Sequence, residues 1–240
     1  MSDRVFLERE ATVSQDGEPQ VFRWRLLRPA RVEPGVRYPV VLFLHGAGER
    51  GSDNRAQLKY LPAWLAEPAL RERHPCLLVA PQCRVDHTWV EVAWDDPRST
   101  PQAAAPTTDL AAAIAALDAV IAAEPADPDR VLLTGLSMGG YGTWDLAARM
   151  PERFAAIAPI CGGGDEATAP RFAKLPTWAF HGADDRVVPP GRSRSMIEAL
   201  RAAGGTPRYS ELEGVGHDSW TPAYRDPAVL DWLFAQRRPR

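Results

Sequence analysis

The stretch at 131–144, VLLTGLSMGGYGTW, constrains what this chain can fold into more than any other. Val131, Leu132, Leu133 and Thr134 read as the end of a buried strand. The Gly-Leu-Ser-Met-Gly that follows fits G-x-S-x-G, and a helical run begins at Met138. Strand, sharp turn and helix in this order are the layout of a nucleophile elbow. A serine in such a turn is held in a strained backbone conformation, so the residues two before and two after it must be small. Gly135 and Gly139 meet that requirement, and Gly140 and Gly142 give further room. The turn lifts the Ser137 hydroxyl above the sheet at a helix N-terminus, where free N–H groups and the helix dipole favour developing negative charge. Because the same pattern also arises in ordinary tight turns, the rest of the chain has to decide.

With 240 residues, 45% of them hydrophobic and 25% charged, the chain suits one α/β domain over 1–240 with a sizeable core. A net charge of −3, from 28 basic and 31 acidic residues, argues for neither a nucleic-acid surface nor an acidic tail, so nucleic acid is not expected as a partner. The N-terminal MSDRVFLERE has no apolar core of a leader segment, and nowhere do eighteen apolar residues run together. The expectation is a cytoplasmic protein that makes no use of a membrane. Cys76, Cys83 and Cys161 are odd in number and lack C-x-x-C spacing or a histidine at ligand spacing. They predict buried free thiols, with no disulfide framework and no metal site.

Taken in order, 5–13 and 21–28 are β-rich runs joined through Asp16-Gly17, which predicts an antiparallel hairpin. Tyr38–Leu44 is continuously apolar, as a strand covered on both faces must be, and runs into His45-Gly46-Ala47-Gly48. Residues 57–73 read as a helix interrupted at Pro62 and Pro68, and 76–80 as the next buried strand. The segment 81–106 is long, irregular and rich in Pro, Asp and Trp, and a loop of that length inside a compact domain implies a task. Thr108–Ala123 carries Leu110, Ile114, Leu117 and Ile121 on one helical face. Strands follow at 130–134, 154–160, 177–180 and 208–212, with helices at 138–150, 190–203 and 226–236. This alternation predicts a mostly parallel central sheet with helices on both faces and the N-terminal hairpin at one edge.

A serine hydroxyl is a poor nucleophile at neutral pH, so it needs a base to take its proton and a carboxylate to hold that base. Downstream, HGADDRVVP at 181–189 puts two adjacent acids in the loop after a buried strand, and EGVGHDSW at 213–220 puts His217 between flexible neighbours after the next one. The chain order Ser, Asp, His is that of α/β-hydrolases rather than of trypsin or subtilisin folds. His74 and His87 lack such a context and read as surface or structural. His45 and His181 precede glycines at strand ends, where histidines brace loops.

With LHGAGERGSDN, GLSMGGYGTWDLA, HGADDRVVP and GVGHDSW in this order, the sequence resembles the α/β-hydrolases of the dienelactone-hydrolase and prolyl-oligopeptidase-like group, the single-domain esterases often labelled predicted peptidases. The resemblance covers nearly the whole chain. Its H-G-x-x-D-x-x-V-P pattern implies Asp185, not Asp184, as the triad acid, beside Ser137 as nucleophile and His217 as base. The oxyanion hole it implies uses main-chain N–H groups of Met138 and of Ala47, with Gly48 the close competitor for the second. Acyl transfer of this kind needs no metal and no organic cofactor.

Glu49, Arg50 and Asp53 share the loop after Leu44 and are expected at the rim of the entrance, Glu49 as a substrate-binding residue. Trp89, Trp94 and Tyr141 are expected to line an apolar pocket, with Trp89 and Tyr141 touching substrate, while Trp144 belongs to the core. The connection between the strands at 154–160 and 177–180 is short, which leaves an open site suited to a small-molecule ester with a short acyl chain. A cover formed by 81–106 would favour aromatic esters. Two rival readings remain: a prolyl-oligopeptidase-like serine exopeptidase, and a hydrolase-like binding protein without turnover.

Overall fold

The period-2 alternation of the strands sorts the core into two layers, one on each side of a single sheet. In the computed structural model, which describes residues 5–15 and 17–238, Val40, Leu42 and Leu44 of β3 (Tyr38–Leu44) point to one face and Val41 and Phe43 to the other, all of them buried. Successive Cβ atoms on a strand point to opposite faces, so a strand covered twice must be apolar throughout. The neighbouring strands β4 (Leu77–Pro81), β5 (Ala126–Leu136), β6 (Ala156–Ile160) and β7 (Trp178–Gly182) split in the same way.

One layer is covered by α3 (Thr108–Ala123), α4 (Met138–Arg149) and α6 (Gly191–Ala202), which contribute Leu110, Leu117, Trp144, Met196 and Leu200. The other is covered by α1 (Leu61–Leu65), α7 (Trp220–Arg225) and α8 (Pro227–Ala235), through Leu61, Leu65, Tyr224, Leu230 and Leu233. Each of the leucines among them, taken fully out of water, contributes about 1.5–3 kcal/mol before the entropy of ordering it is counted. The crossover helix α3 starts where Thr107 accepts a 3.1 Å hydrogen bond from the Leu110 amide.

The sheet has eight strands in the order β1-β2-β4-β3-β5-β6-β7-β8, with β1 at Phe6–Gln15, β2 at Glu18–Leu27 and β8 at Arg208–Leu212. β1 and β2 form the antiparallel hairpin, β2 joins β4 antiparallel, and every pairing from β4 onward is parallel. The fold is that of an α/β-hydrolase, as the motif order implies. Asp16, half of the expected turn signal, lies outside the described residues; Gly17 beside it has φ +86°.

The helix expected over 57–73 is instead a 3-10 turn and two short helices, α1 and α2 (Pro68–Arg73). Pro62 and Pro68 sit in the first turns of α1 and α2, where a missing N–H costs nothing, so they start helices rather than interrupt one. α7 and the one-turn α5 (Ala169–Phe172) carry no clear periodicity and were not foreseen. Among the described residues no helix is long and apolar enough to cross a membrane.

Candidate active site

Parallel strands all end on the same side, so the loops after β5, β7 and β8 converge there, the place where open α/β sheets hold their ligands. Ser137 follows β5 directly, with φ 53° and ψ −117°, a backbone region that side chains other than glycine rarely occupy. The turn closes tightly. A Cβ on Gly135 would lie 2.3 Å from the Gly139 carbonyl oxygen, and one on Gly139 would lie 1.9 Å from that of Leu44. The Ser137 amide donates to the Ile160 carbonyl at 2.9 Å, which ties the elbow to the end of β6.

Ser137, Asp185 and His217 meet above this edge of the sheet. The Ser137 hydroxyl lies 2.9 Å from His217 Nε2, and His217 Nδ1 lies 2.8 Å from Asp185 Oδ2. An ionised carboxylate only accepts, so the proton on the ring belongs to Nδ1, and Nε2 is left to accept from the serine. The other Asp185 oxygen accepts from the amides of Val187 at 2.8 Å and Val188 at 3.0 Å. Burial pushes this carboxyl upward, but the hydrogen bonds from His181, His217, Val188 and Val187 outweigh it and hold the group well below the usual carboxylate range. Asp184 beside it is exposed.

His181 acts on the same acid from behind. Its Nε2 donates to the Val188 carbonyl at 3.0 Å and lies 3.2 Å from Asp185 Oδ2, while Nδ1 meets Ser193 Oγ at 2.8 Å. It fixes the 183–190 loop, as a histidine at a strand end was expected to do. His45 serves the preceding loop. Its Nε2 accepts from the Cys83 amide at 2.9 Å and its Nδ1 donates to the Gly46 carbonyl at 2.7 Å. Burial pushes its pKa down to about 4 and keeps it neutral.

Met138 opens α4 and Ala47 opens the one-turn 3-10 helix Ala47–Glu49, so neither N–H has an acceptor within its own helix. Gly48 stands second in that turn. Glu49 departs from expectation: it is 6% exposed, its carboxyl rests on the Gly46 amide with Lys59 at 3.9 Å, and burial raises its pKa. At position three of a helix whose N-cap is Gly46, a glutamate folds back to cap the turn instead of reaching the rim. Asp53 and Arg50 likewise brace the loop, Asp53 by accepting from the Arg55 and Ala56 amides and Arg50 by donating to the Ala47 carbonyl.

Trp89 and Tyr141, expected against substrate, are 1% and 2% exposed. The Trp89 indole donates to the His45 carbonyl at 2.9 Å and the Tyr141 hydroxyl to that of Trp94 at 3.3 Å. Both line a cavity of about 200 Å³ beside α4, together with Trp144, Asp145 and Gly163, and no residue of the Ser-His-Asp cluster borders it.

The segment 82–107 has no helix or strand and is fastened by side chains. Arg192, 1% exposed, donates through Nη1 to the carbonyls of Asp96, at 3.0 Å, and of Arg98. Arg149 reaches the carbonyls of Ala103, Ala104 and Ala105. Neither arginine was singled out from sequence. The available signal for Arg192 was its position three residues after the end of HGADDRVVP.

Among the described residues, Cys161, Asp185 and His217 are the cluster whose ligand atoms approach closely enough for a metal, within 4.8 Å of one another. The set does not suit one: the Asp185 and His217 atoms already bond each other and Ser137, and burial pushes the Cys161 thiol far above the range in which a thiolate forms.

The sequence model of the dienelactone hydrolase family matches residues 93–226, more than half of the chain. The protein belongs to the dienelactone hydrolase family. Among solved structures it is similar to a thermostable esterase, with 39% identity and a TM-score of 0.87 over 98% of this chain and 64% of that one. A putative carboxymethylenebutenolidase of Methylorubrum extorquens is 32% identical over 124 residues, 46% of this chain and 43% of that protein. The acylaminoacyl peptidase of Pyrococcus horikoshii shares the fold, with a TM-score of 0.69 at 15% identity over 98% of this chain and 42% of that one. The chain therefore spans less than two thirds of each of these relatives.

Proposed function

We propose that this protein is a serine esterase that cleaves carboxylic esters through an acyl-enzyme. The observation that carries the reading is the unbroken line of hydrogen bonds from Ser137 Oγ to His217 and on to Asp185, at 2.9 and 2.8 Å. His217 takes the Ser137 proton as the oxygen attacks the ester carbonyl, and Asp185 stabilises the imidazolium that results. The main-chain N–H groups of Met138 and Ala47 hold the oxyanion. His217 then gives its proton to the departing alcohol. In the second half it draws a proton from a water that attacks the acyl-serine carbonyl, and it returns that proton to Ser137 Oγ as the bond between the acyl carbon and that oxygen breaks and the acid leaves.

The substrate is a small-molecule ester with a short or aromatic acyl group. Between β6 and β7 the chain builds only the turn Glu166–Thr168 and the four-residue α5, too little to form a lid over a long acyl chain. The 39% identity with an esterase favours esters over peptides, since the peptidase likeness at 15% speaks only for the fold.

p-Nitrophenyl acetate, butyrate and palmitate, assayed beside aminoacyl arylamides, test the reading. The two short esters are to be turned over fastest, and Ser137→Ala is to lower kcat by about 10⁴-fold or more while the circular dichroism spectrum is unchanged. Preferential cleavage of arylamides would favour the peptidase, and no turnover of any ester would favour a binding protein.

A further inference from the structure

The esterase reading has a geometric consequence on the imidazole side of the site. His217 must hand its proton to the alcohol oxygen, so the alcohol portion of the ester leaves past the residues that flank the ring, and those residues read the alcohol rather than the acid. The flank is aromatic. The Trp220 indole meets the His217 ring edge to face, with centroids 5.3 Å apart and planes at 87°. Tyr60 meets Trp220 at 5.5 Å and 60°, so the two half-buried rings form an angled corner beside the base. Trp64 stands behind Tyr60 at 6.0 Å and is itself covered by the Arg225 guanidinium at 4.4 Å, which assigns it to the support of the corner.

Two further observations mark the corner as built. Tyr60 has φ 59° and ψ −123°, almost the backbone conformation of Ser137, which glycine adopts at far lower cost. A bulky ring kept in such a conformation is characteristic of functional sites, where surrounding structure over-determines the strain. Among the described residues the buried Trp220 indole N–H has no acceptor, so ring contacts hold the residue and its aromatic surface is what it has to offer. Burial first, and then the nearby carboxylates of Glu49 and Asp218, push the Tyr60 phenol upward, so its ring meets a ligand in the neutral form.

We infer that Tyr60 and Trp220 form a leaving-group subsite that selects esters of aryl-alkyl alcohols; the inference rests on the esterase reading and names the alcohol side of its substrate. An aromatic ring entering the corner meets one face and one edge, the arrangement aromatic pairs prefer. As the tetrahedral adduct collapses, the bond between the carbonyl carbon and the alcohol oxygen breaks and the oxygen keeps the electron pair. It takes the proton that His217 received from Ser137, and the neutral aromatic alcohol departs past the two rings while the acyl group stays on Ser137.

The test compares benzyl acetate with cyclohexylmethyl acetate, which share an acyl-enzyme and differ in the aromaticity of a leaving group of similar size. The wild-type protein is to favour the benzyl ester in kcat/KM by about 10-fold, the range that aromatic pairing supports. Trp220→Leu and Tyr60→Leu are each to reduce the preference to about 2-fold or less. Tyr60→Phe, which keeps the ring, is to retain it, so the test survives a leucine variant that fails to fold. Equal rates on both esters in the wild type, or an equal loss on both in Trp220→Leu, would overturn the subsite; the latter would make Trp220 a prop for the imidazole. Ser137→Ala separates the two levels. If it abolishes turnover and no preference exists, only the subsite fails. If it leaves turnover intact, the esterase reading fails with it.

Discussion

Gly139→Ala is a one-methyl change whose effect can be worked out from the elbow. An added Cβ would stand 1.9 Å from the Leu44 carbonyl oxygen and 2.4 Å from its carbonyl carbon, with the His45 carbonyl oxygen at 2.8 Å. Ordinary contact begins near 3.4 Å, and the obstructing atoms are backbone of β3 and the loop after it, so no side chain can swing aside. The start of α4 must therefore retreat from β3 by about 1.5 Å. That start carries Ser137 and Met138, and a displacement near 1 Å at reacting groups costs about 10²-fold in rate. Strain of this kind also destabilises by about 1–3 kcal/mol. The assay is kcat/KM on p-nitrophenyl acetate beside a urea unfolding curve. Gly48→Ala in the loop after β3 is the control, because nothing lies within 4 Å of its added Cβ. The reasoning is refuted if Gly139→Ala retains more than a fifth of the activity with unchanged stability, or if Gly48→Ala proves equally damaging.

His45 supplies a pH prediction. Its folded pKa of about 4 lies below the ordinary 6.5, so between those values the unfolded chain binds a proton that the folded chain refuses. Stability contributed by keeping the ring neutral is thus intact above pH 6.5 and falls as the pH drops toward 4, by about 3 kcal/mol at most. Urea titrations at pH 7 and pH 4.5 measure the fall, and His45→Gln is to make it shallower while lowering stability at pH 7. Arg192→Met removes donors from the carbonyls of Asp96 and Arg98 in the otherwise irregular 82–107 segment. It is to cost about 2 kcal/mol or more and to open that segment to limited proteolysis, read by the sites of the first cuts.

What could be read from the chain follows from where the information is local. The β3 run, the strand before the elbow and the order Ser137, Asp185, His217 are written in contiguous stretches, because strand alternation and turn chemistry act over a few residues. The glycines around Ser137 are legible for the same reason. The fate of loop charges is not, because it depends on partners distant in sequence. Glu49 reads from sequence as a substrate-binding residue at the rim, and only the folded loop turns it onto Gly46. Arg192 sits in a helix reading GRSRSMIEALRA and looks like one cation among several, yet it is buried against carbonyls 94 and 96 residues away. The aromatic corner is hidden likewise: Tyr60 and Trp220 come together only when β3, β4 and β8 align their ends.

The most direct test of the account labels the folded protein with a fluorophosphonate and locates the adduct by mass spectrometry of its peptides. The account predicts one adduct, on Ser137, formed in step with the loss of esterase activity and absent from His217→Ala. Labelling of another residue while activity is lost, or full activity with Ser137 modified, would contradict it.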